Sequence, residues 1–211
     1  MANLNEHIDI KRTLAEPSVL ALVMANLLAI VLALYEGWDL RELMIIYWSQ
    51  SVIIGYFSYR RMRDLKEFST EGVRSNGRKV APTAATKRSM SIFFVAHYGF
   101  FHLVYFIFIF ADERNAIRED MFLIGVCIAA FLVNHWYSYV DHREADARRT
   151  PNIGTIMIFP YARIIPMHLT IIAGGIVSAN STPLLLLFLG LKTLADVVMH
   201  KIEHTAWRQQ S

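Results

Sequence analysis

Cysteine, charged residues and known catalytic motifs are all scarce in this sequence. Its one cysteine, Cys127, rules out a disulfide framework or a thiolate metal cluster within the chain. Charged residues make up 18% of the 211 residues and apolar residues 55%, whereas a soluble domain carries roughly 25% charge. This composition excludes a disordered chain, a nucleic-acid-binding arm and an ordinary water-soluble globule. We therefore expect no nucleic acid among its partners.

Motifs of known intramembrane proteases are also missing. The sequence has no Gly-x-Ser-x-Gly, no His-Glu-x-x-His, and no Tyr-Asp combined with Gly-x-Gly-Asp, so peptide-bond cleavage by those routes is not expected. Met1 to Glu16 is polar and mixed in charge, and no small-residue cleavage site follows the first apolar run. A cleaved signal peptide is therefore not expected.

Long apolar runs are what the sequence does contain. A helix needs about 20 mostly apolar residues to cross a hydrocarbon core roughly 30 Å thick. Six segments meet this length, at about residues 17–35, 40–59, 90–111, 121–140, 153–177 and 184–204. The apolar runs lack the period-two alternation of strands. The sequence thus predicts an all-α, polytopic six-transmembrane-helix bundle that forms a single membrane domain over residues 1–211.

Basic residues concentrate in one set of the predicted loops. Nine cations lie between Arg60 and Arg88 alone, whereas the loops on the other side contain only Arg41, Arg114 and Arg118. The positive-inside rule then places both termini in the cytoplasm of a multi-pass protein of the inner (plasma) membrane. The basic loop 60–88 looks mobile and solvated, and we expect it to contact anionic membrane lipids.

The last apolar segment carries a polar stripe. Helical spacing places its ionisable residues largely on one face, and these residues are Lys192, Asp196, His200, Glu203 and His204. Charged groups are costly in lipid, so the stripe is expected to face the interior of the bundle. Two simpler interpretations stay open: Lys192 and Asp196 neutralise each other, and His204 lies at the membrane interface.

Several segments place histidine or carboxylate groups about 6 to 12 Å into the cytoplasmic half of the membrane, at 1.5 Å per residue. The proposed metal ligands are His97, His135, Asp196 and His200. Three imidazoles and a carboxylate suit Zn²⁺, which activates a bound water near neutral pH. The leading hypothesis is therefore a zinc-dependent hydrolase acting on a lipid-like amide or ester.

Four further residues are assigned catalytic roles in this hypothesis. Ser138 and Asp141 are candidates for proton handling, and Arg163 and Lys192 are candidates for holding an anionic group or an oxyanion. A second tier of polar residues comprises Gln50, His102, His168, Glu203 and His204.

Helix geometry places two of these histidines on different faces, and two prolines interrupt the fifth segment. His97 and His102 are five residues apart and point about 140° away from each other, so we expect them to serve different sites. Pro160 and Pro166 are expected to bend the fifth segment, as is typical where membrane helices line a cavity.

Other functions stay open at this point. The first alternative is a proton- or ion-coupled transporter, because Arg163, Lys192 and Asp196 with several histidines suit a proton relay. No inverted repeat supports it, although a homo-oligomer would supply a second half. Haem held between two histidines and a purely structural bundle are the remaining alternatives.

Four stretches resemble an uncharacterised family of small prokaryotic polytopic membrane proteins. They are Tyr47-Trp48 with Gln50, Ala96-His97-Tyr98 with His102, Pro160-Tyr161-x-Arg163 with Pro166-x-His168, and the stripe from Lys192 to His204. The resemblance covers most of the chain, but that family has a glutamate where Gln50 stands. The resemblance implies a helical membrane fold and singles out these residues, but it implies no reaction.

Overall fold

The computed structural model describes residues 40–110, 121–174, 183, 186–195 and 197, and most of them are helical. The elements in chain order are α1 (Leu40–Asp64), β1 (Arg74–Ser75), β2 (Arg78–Lys79), α2 (Ala84–Phe110), α3 (Met121–Asp146), α4 (Ile153–Ile158), a 3-10 helix (Phe159–Arg163) and α5 (Ile164–Gly174). A short apolar helix follows over Leu186–Ala195. Residues 40–165 form one compact unit, and the described residues from Pro166 onward belong to a second.

The prediction of a six-helix transmembrane bundle is wrong. Within the described ranges, α2 alone is long and apolar enough to cross a membrane. Polar residues interrupt the other two long helices, including Ser49-Gln50-Ser51 inside α1 and Asn134-His135 inside α3. The predicted first span, the end of the last span and both termini lie outside the described residues.

The predicted fifth span, at residues 153–177, is broken into pieces. Asn152 starts α4 by accepting hydrogen bonds from the backbone N–H groups of Gly154 and Thr155. Pro160 lies at the start of the 3-10 helix, where its missing N–H costs little. The pieces on either side are 6 and 11 residues long, too short to cross a bilayer singly.

Helix α1 packs against both α2 and α3 and also contacts α4 and the 3-10 helix. One stripe of α2 is buried: Ser91, Phe94, Tyr98, His102, Tyr105 and Ile109. These positions recur every three or four residues, as they must on one face of a helix. Other apolar side chains of α2 stay exposed, with Phe100 at 60% and Ile107 at 58%. The helix therefore has one packed face and a wide apolar surface.

Both ends of α2 are defined by hydrogen bonds. At its start, the hydroxyl of Thr83 accepts from the backbone N–H of Thr86 at 3.2 Å, which satisfies one of the unpaired donors of the first turn. At its end, Nε of Arg41 donates to the carbonyl oxygen of Ile109 at 2.9 Å. The start of α1 is thereby tied to the end of α2.

The basic loop between α1 and α2 contains an ordered hairpin, which the sequence did not predict. Asn76 and Gly77 have φ values of 48° and 76°, which are the left-handed values that a two-residue hairpin turn requires. The strands pair antiparallel with Arg74 opposite Lys79. The expectation of a mobile loop at residues 60–88 is corrected at this hairpin.

Candidate functional site

A buried hydrogen-bonded cluster joins the middle of α1 to the middle of α2. Ser51 Oγ lies 2.7 Å from the hydroxyl of Tyr98 and 2.9 Å from Nε2 of His102. The Tyr98 hydroxyl donates to the backbone oxygen of Ser51 at 2.9 Å. Ser51 is 1% exposed and His102 is 5% exposed. Buried polar groups need such partners because an unsatisfied one costs about 1 to 3 kcal/mol.

The contacts of His102 assign its protons. Its Nδ1 lies 2.9 Å from the backbone oxygen of Tyr98, and a carbonyl oxygen only accepts, so Nδ1 carries a hydrogen. In the neutral ring Nε2 is then an acceptor, and the Ser51 hydroxyl must donate to it. The hydrogen-bond network therefore assigns this tautomer.

A count of hydroxyl hydrogens shows that the cluster has room for one more proton. Three contacts need a hydrogen: Nε2 to Ser51 Oγ, Oγ to the Tyr98 hydroxyl, and that hydroxyl to the Ser51 carbonyl. With neutral His102, the two hydroxyls supply two hydrogens to these contacts, so the Tyr98 hydroxyl shares its hydrogen between Ser51 Oγ and the Ser51 backbone oxygen. With the imidazolium, Nε2 donates to Ser51, Ser51 donates to Tyr98, and Tyr98 donates to the carbonyl. The protonated ring therefore satisfies all three contacts.

Neighbouring residues fix the position of this cluster. Trp48 Nε1 donates to the backbone oxygen of His102 at 2.9 Å, one turn before Ser51 along α1. Gly55 lies one turn after Ser51, and a Cβ placed there would be 2.4 Å from Cε1 of Tyr98. The missing side chain of Gly55 is what lets the Tyr98 ring approach the α1 backbone.

A second histidine takes part in a separate contact one turn earlier on α2. His97 is exposed, and its Nδ1 lies 2.9 Å from the hydroxyl of Tyr161 in the 3-10 helix. The Tyr161 ring also meets Tyr98 edge to face, with ring centroids 5.4 Å apart. His97 and His102 thus have different hydrogen-bond partners, whereas Tyr161 touches both groups. The expectation that the two histidines serve different sites stays a prediction.

The C-terminal ends of α1 and α3 are joined by a separate set of charges. Arg61 forms a two-point ion pair with Asp146 at 2.6 and 2.8 Å, and the hydroxyl of Tyr139 donates to Asp64. Burial, together with this hydrogen bond to Asp64, raises the pKa of Tyr139 above its usual value.

An open cavity of about 450 Å³ lies among these side chains. Its lining includes six charged residues: Arg61, Asp64, Lys66, Arg143, Glu144 and Asp146. Three are basic and three are acidic, so the cavity does not select a ligand by the sign of its charge.

The predicted zinc site is only partly within the described chain. His97 and His135 lie on α2 and α3, while Asp196 and His200 lie outside the described residues, as do Glu203 and His204. Among the side chains that the structure describes, no three His, Cys, Asp or Glu groups are close enough to hold one ion. The zinc site stays a prediction from the sequence.

The other predicted residues do not meet at one place within residues 40–165. Ser138 and His142 contact each other within one turn of α3 at 3.3 Å, and Asp141 is exposed nearby. Gln50 is half-buried on α1. The side chain of Arg163 lies outside the described atoms, and its backbone ends the 3-10 helix.

Two predicted residues lie in the second unit. His168 is exposed on α5, and Lys192 is half-buried in the helix Leu186–Ala195.

The model of a family of unknown function, DUF6498, matches residues 10–211. The chain belongs to this family. No curated protein and no solved structure matches it. The resemblance to an uncharacterised family is thus confirmed.

In this DUF6498 protein, three of the four stretches that carried the resemblance contribute to one region, and Trp48 of the first stretch donates to the backbone oxygen of His102. Tyr98 and His102 come from the second stretch and Tyr161 comes from the third, and both stretches contact α1 or each other. Ser51 was missed as the partner of His102 because only the packing of α1 on α2 brings them together. The available signal was the polar run from Ser49 to Ser51, followed one turn later by Gly55.

Proposed function

We propose that the protein is an integral membrane protein that crosses the bilayer through α2. This helix has 27 residues and is about 40 Å long at 1.5 Å per residue, which exceeds a hydrocarbon core of roughly 30 Å. From Met90 to Phe110 it contains no charged residue. Its exposed apolar side chains, such as Phe100 and Ile107, then face lipid.

The charges that flank α2 set its orientation in this proposal. The 17 residues from Gly72 to Arg88 contain five cations and no acid. The ten residues that follow the helix, 111–120, contain two cations, Arg114 and Arg118. By the positive-inside rule, the N-terminal end of α2 lies in the cytoplasm in this proposal.

The cluster around His102 is proposed to accept and release a proton within this membrane helix, as in a proton-coupled carrier. His102 lies about 18 Å beyond Met90, near the middle of the apolar part of α2. An ionisable group at that depth is a functional-site hypothesis by default. The observation that carries the proposal is the unfilled hydrogen position among Ser51, Tyr98 and His102, which a proton on Nε2 completes.

Tyr161 is proposed as the connection between the cytoplasmic end of α2 and this cluster. His97 lies about 10 Å beyond Met90 along the helix, and its Nδ1 contacts the Tyr161 hydroxyl. The contact between Tyr161 and Tyr98 is an edge-to-face contact of their two rings. A proton therefore needs a rotation of Tyr161 or an intervening water to pass from one group to the other.

The test uses purified protein reconstituted into liposomes that contain a pH-sensitive dye. After an acid step outside, with the membrane potential held at zero by K⁺ and valinomycin, the interior is expected to acidify faster than in protein-free liposomes. His102→Gln removes the titrating ring and should return the rate to that of protein-free liposomes. Equal rates for His102→Gln and the parent protein would overturn the proposal.

Two further variants separate proton transfer from loss of folding. Tyr161→Phe keeps the ring contacts but removes the hydroxyl that contacts His97, so we expect slower acidification with unchanged thermal stability. Ser91→Ala is the matched control, because Ser91 is buried on the same stripe of α2 and its hydroxyl donates within the helix, to the backbone oxygen of Lys87 at 2.7 Å. It should leave the rate unchanged.

Acyl transfer by Ser51 is a second candidate, and the contact between its hydroxyl and His102 favours it. A hydroxyl bonded to Nε2 of a ring that is oriented through Nδ1 is the arrangement of an activated serine nucleophile. The substrate in this case is the lipid-like ester or amide expected from the sequence. Because Ser51 is 1% exposed, substrate access requires local separation of α1 and α2.

A fluorophosphonate probe distinguishes the second candidate from the first. Attack by Ser51 Oγ would form a phosphorus–oxygen bond and release fluoride, and mass spectrometry would detect the adduct on the peptide that contains Ser51. Labelling of the parent protein that is lost in Ser51→Ala supports acyl transfer. An unlabelled parent protein, tested in membranes over hours, rejects it and leaves proton exchange.

The zinc prediction is tested independently by elemental analysis of the purified protein. About one zinc ion per chain is expected if His97, His135, Asp196 and His200 hold a zinc ion that also binds a water, with loss of the metal in His200→Ala and His97→Ala. Protein purified without chelators that contains no zinc would reject the metal-dependent mechanism. An absorbance scan of the same sample tests the haem alternative.

A further inference from the structure

The hairpin between α1 and α2 holds positive charges side by side. Its strands pair with Arg74 opposite Lys79 and Ser75 opposite Arg78, and all four residues are exposed. Directly opposite residues of an antiparallel pair have Cβ atoms about 5 Å apart, and like charges there are destabilising. An anion beside Arg74 and Lys79 would remove this repulsion.

The base of the hairpin is anchored to the connection between α3 and α4. Ser69 N–H donates to the oxygen of Pro151 at 2.9 Å, and Ile153 N–H donates to the oxygen of Ser69 at 3.0 Å. The Asn152 side chain donates to the oxygen of Glu71 at 2.8 Å. The hairpin thus projects from a fixed base, so its cations keep a defined position.

The hairpin also lies close to the point where α2 begins. Ala84, the first residue of α2, follows Lys79 by five residues, and Met90 is about 9 Å further along the helix. Lys87 is engaged within the protein, since its Nζ donates to the oxygen of Leu65 at 2.6 Å. Arg74, Arg78, Lys79 and Arg88 are the other cations of the acid-free stretch.

We propose that the tip of this hairpin docks onto anionic lipid head groups of the leaflet that α2 enters, with Arg74, Arg78 and Lys79 at the phosphates. The inference rests on the proposed insertion of α2. A flat anionic surface suits these cations because they are spread along an exposed ribbon. Arginine binds phosphate oxygens through two parallel hydrogen bonds, and juxtamembrane basic segments are attracted to anionic leaflets.

The experiment places a fluorophore on the hairpin of the full-length protein in lipid nanodiscs. Ser75→Cys in a Cys127→Ser background provides one labelling site that is close in size to the native side chain. Lipids with a spin-labelled head group quench the fluorophore when the hairpin is docked. Quenching is expected to be stronger in discs that contain phosphatidylglycerol than in discs of phosphatidylcholine alone, and to fall at 1 M salt, where the Debye length is about 3 Å.

Variants test whether the named cations are responsible. Each of Arg74→Gln, Arg78→Gln and Lys79→Gln should lower the ratio of docked to free hairpin by about fivefold in anionic discs. Lys79→Arg keeps the charge and should preserve docking. Arg118→Gln is the matched control, because it removes one cation from the sequence after α2, beyond the other end of the proposed span.

The outcomes separate this inference from the proposed membrane insertion. Protein that floats with liposomes after an alkaline carbonate wash is inserted, whatever its hairpin does. Inserted protein whose quenching is the same in both kinds of disc would overturn the docking proposal alone. Protein that the wash removes would overturn the insertion of α2 and the docking proposal together.

Discussion

The ring of Tyr98 lies against the backbone of Gly55, so that a Cβ at Gly55 would be 2.4 Å from Cε1 of Tyr98. That distance is far shorter than a van der Waals contact, so α1 and α2 approach each other as closely as glycine allows at this point. The approach also brings the Tyr98 hydroxyl within 2.9 Å of the Ser51 backbone oxygen. Small residues at helix contacts serve this purpose in membrane proteins generally.

Gly55→Ala is expected to destabilise the protein. The added methyl group forces the Tyr98 ring or the helix to move, and such overpacking costs about 1 to 3 kcal/mol. Thermal unfolding in detergent should show a lower melting temperature. Gly99→Ala is the matched control on α2, because within the described part of the chain nothing lies within 4 Å of its new Cβ.

A double variant identifies Tyr98 as the cause of the Gly55 effect. Tyr98→Ala removes the ring, so adding Gly55→Ala to it should cost much less than Gly55→Ala costs alone. Additive effects would contradict the close packing of these two residues.

Ser51→Ala is expected to lower stability by about 1 to 2 kcal/mol, because the hydroxyl joins Tyr98 and His102 in a buried site. For a chain of this size, each kcal/mol corresponds to about 2 to 4 °C in melting temperature. Ser91→Ala should change the melting temperature little, since the Ser91 hydroxyl donates to Lys87 of its own helix. Equal losses of melting temperature in Ser51→Ala and Ser91→Ala would show that the hydrogen bonds of Ser51 stabilise the protein no more than a bond within one helix does.

Helix periodicity was sufficient to predict part of the candidate site. The five-residue spacing of His97 and His102 places them on different faces of α2, where their hydrogen-bond partners differ, since rotation along a helix depends only on sequence separation. That they serve different sites stays a prediction. Pro160 likewise marked the break in the segment from Ile153, because a residue without an N–H interrupts helical hydrogen bonding. Both results depend on local geometry alone.

Contacts between different helices could not be predicted from helix periodicity. Ser51 and His102 are brought together by the packing of α1 on α2, and no periodicity within either helix specifies it. The six-span prediction failed because it counted mostly apolar runs of about 20 residues without weighing the polar residues inside them. Within the described ranges, only α2 is apolar enough to cross a membrane. In α1 such a run includes Gln50 and Ser51, and its buried face meets two other helices.

The ion pair between Arg61 and Asp146 is expected to stabilise the junction of α1 and α3. Both contacts are short, and the side chains are 26% and 11% exposed, so Asp146→Asn should cost about 1 kcal/mol. A double-mutant cycle with Arg61→Gln measures the coupling in detergent. Glu144→Gln removes an exposed acid from the same helix and is the control. A coupling energy of zero would show that solvent screens the pair completely.

Tyr139 provides a test at alkaline pH. Burial and the hydrogen bond to Asp64 raise the pKa of its phenol above the ordinary value of 10.0, so the folded protein holds the phenol neutral more firmly than the unfolded chain does. Its contribution to stability is therefore complete below about pH 10. It is lost as the pH rises through the higher pKa of the folded state.

The measurement compares melting temperatures of the parent protein and Tyr139→Phe across this pH range. Tyr139→Phe removes the donor to Asp64, so it should melt at a lower temperature near neutral pH. Above pH 10 the parent loses the contribution of the phenol and the difference between the two proteins should shrink. Tyr137→Phe, at a 67% exposed position on the same helix, controls for the loss of a tyrosine. A difference in melting temperature that stays constant from neutral to strongly alkaline pH would contradict the raised pKa. A phenol with the same pKa in the folded and unfolded states contributes equally at every pH.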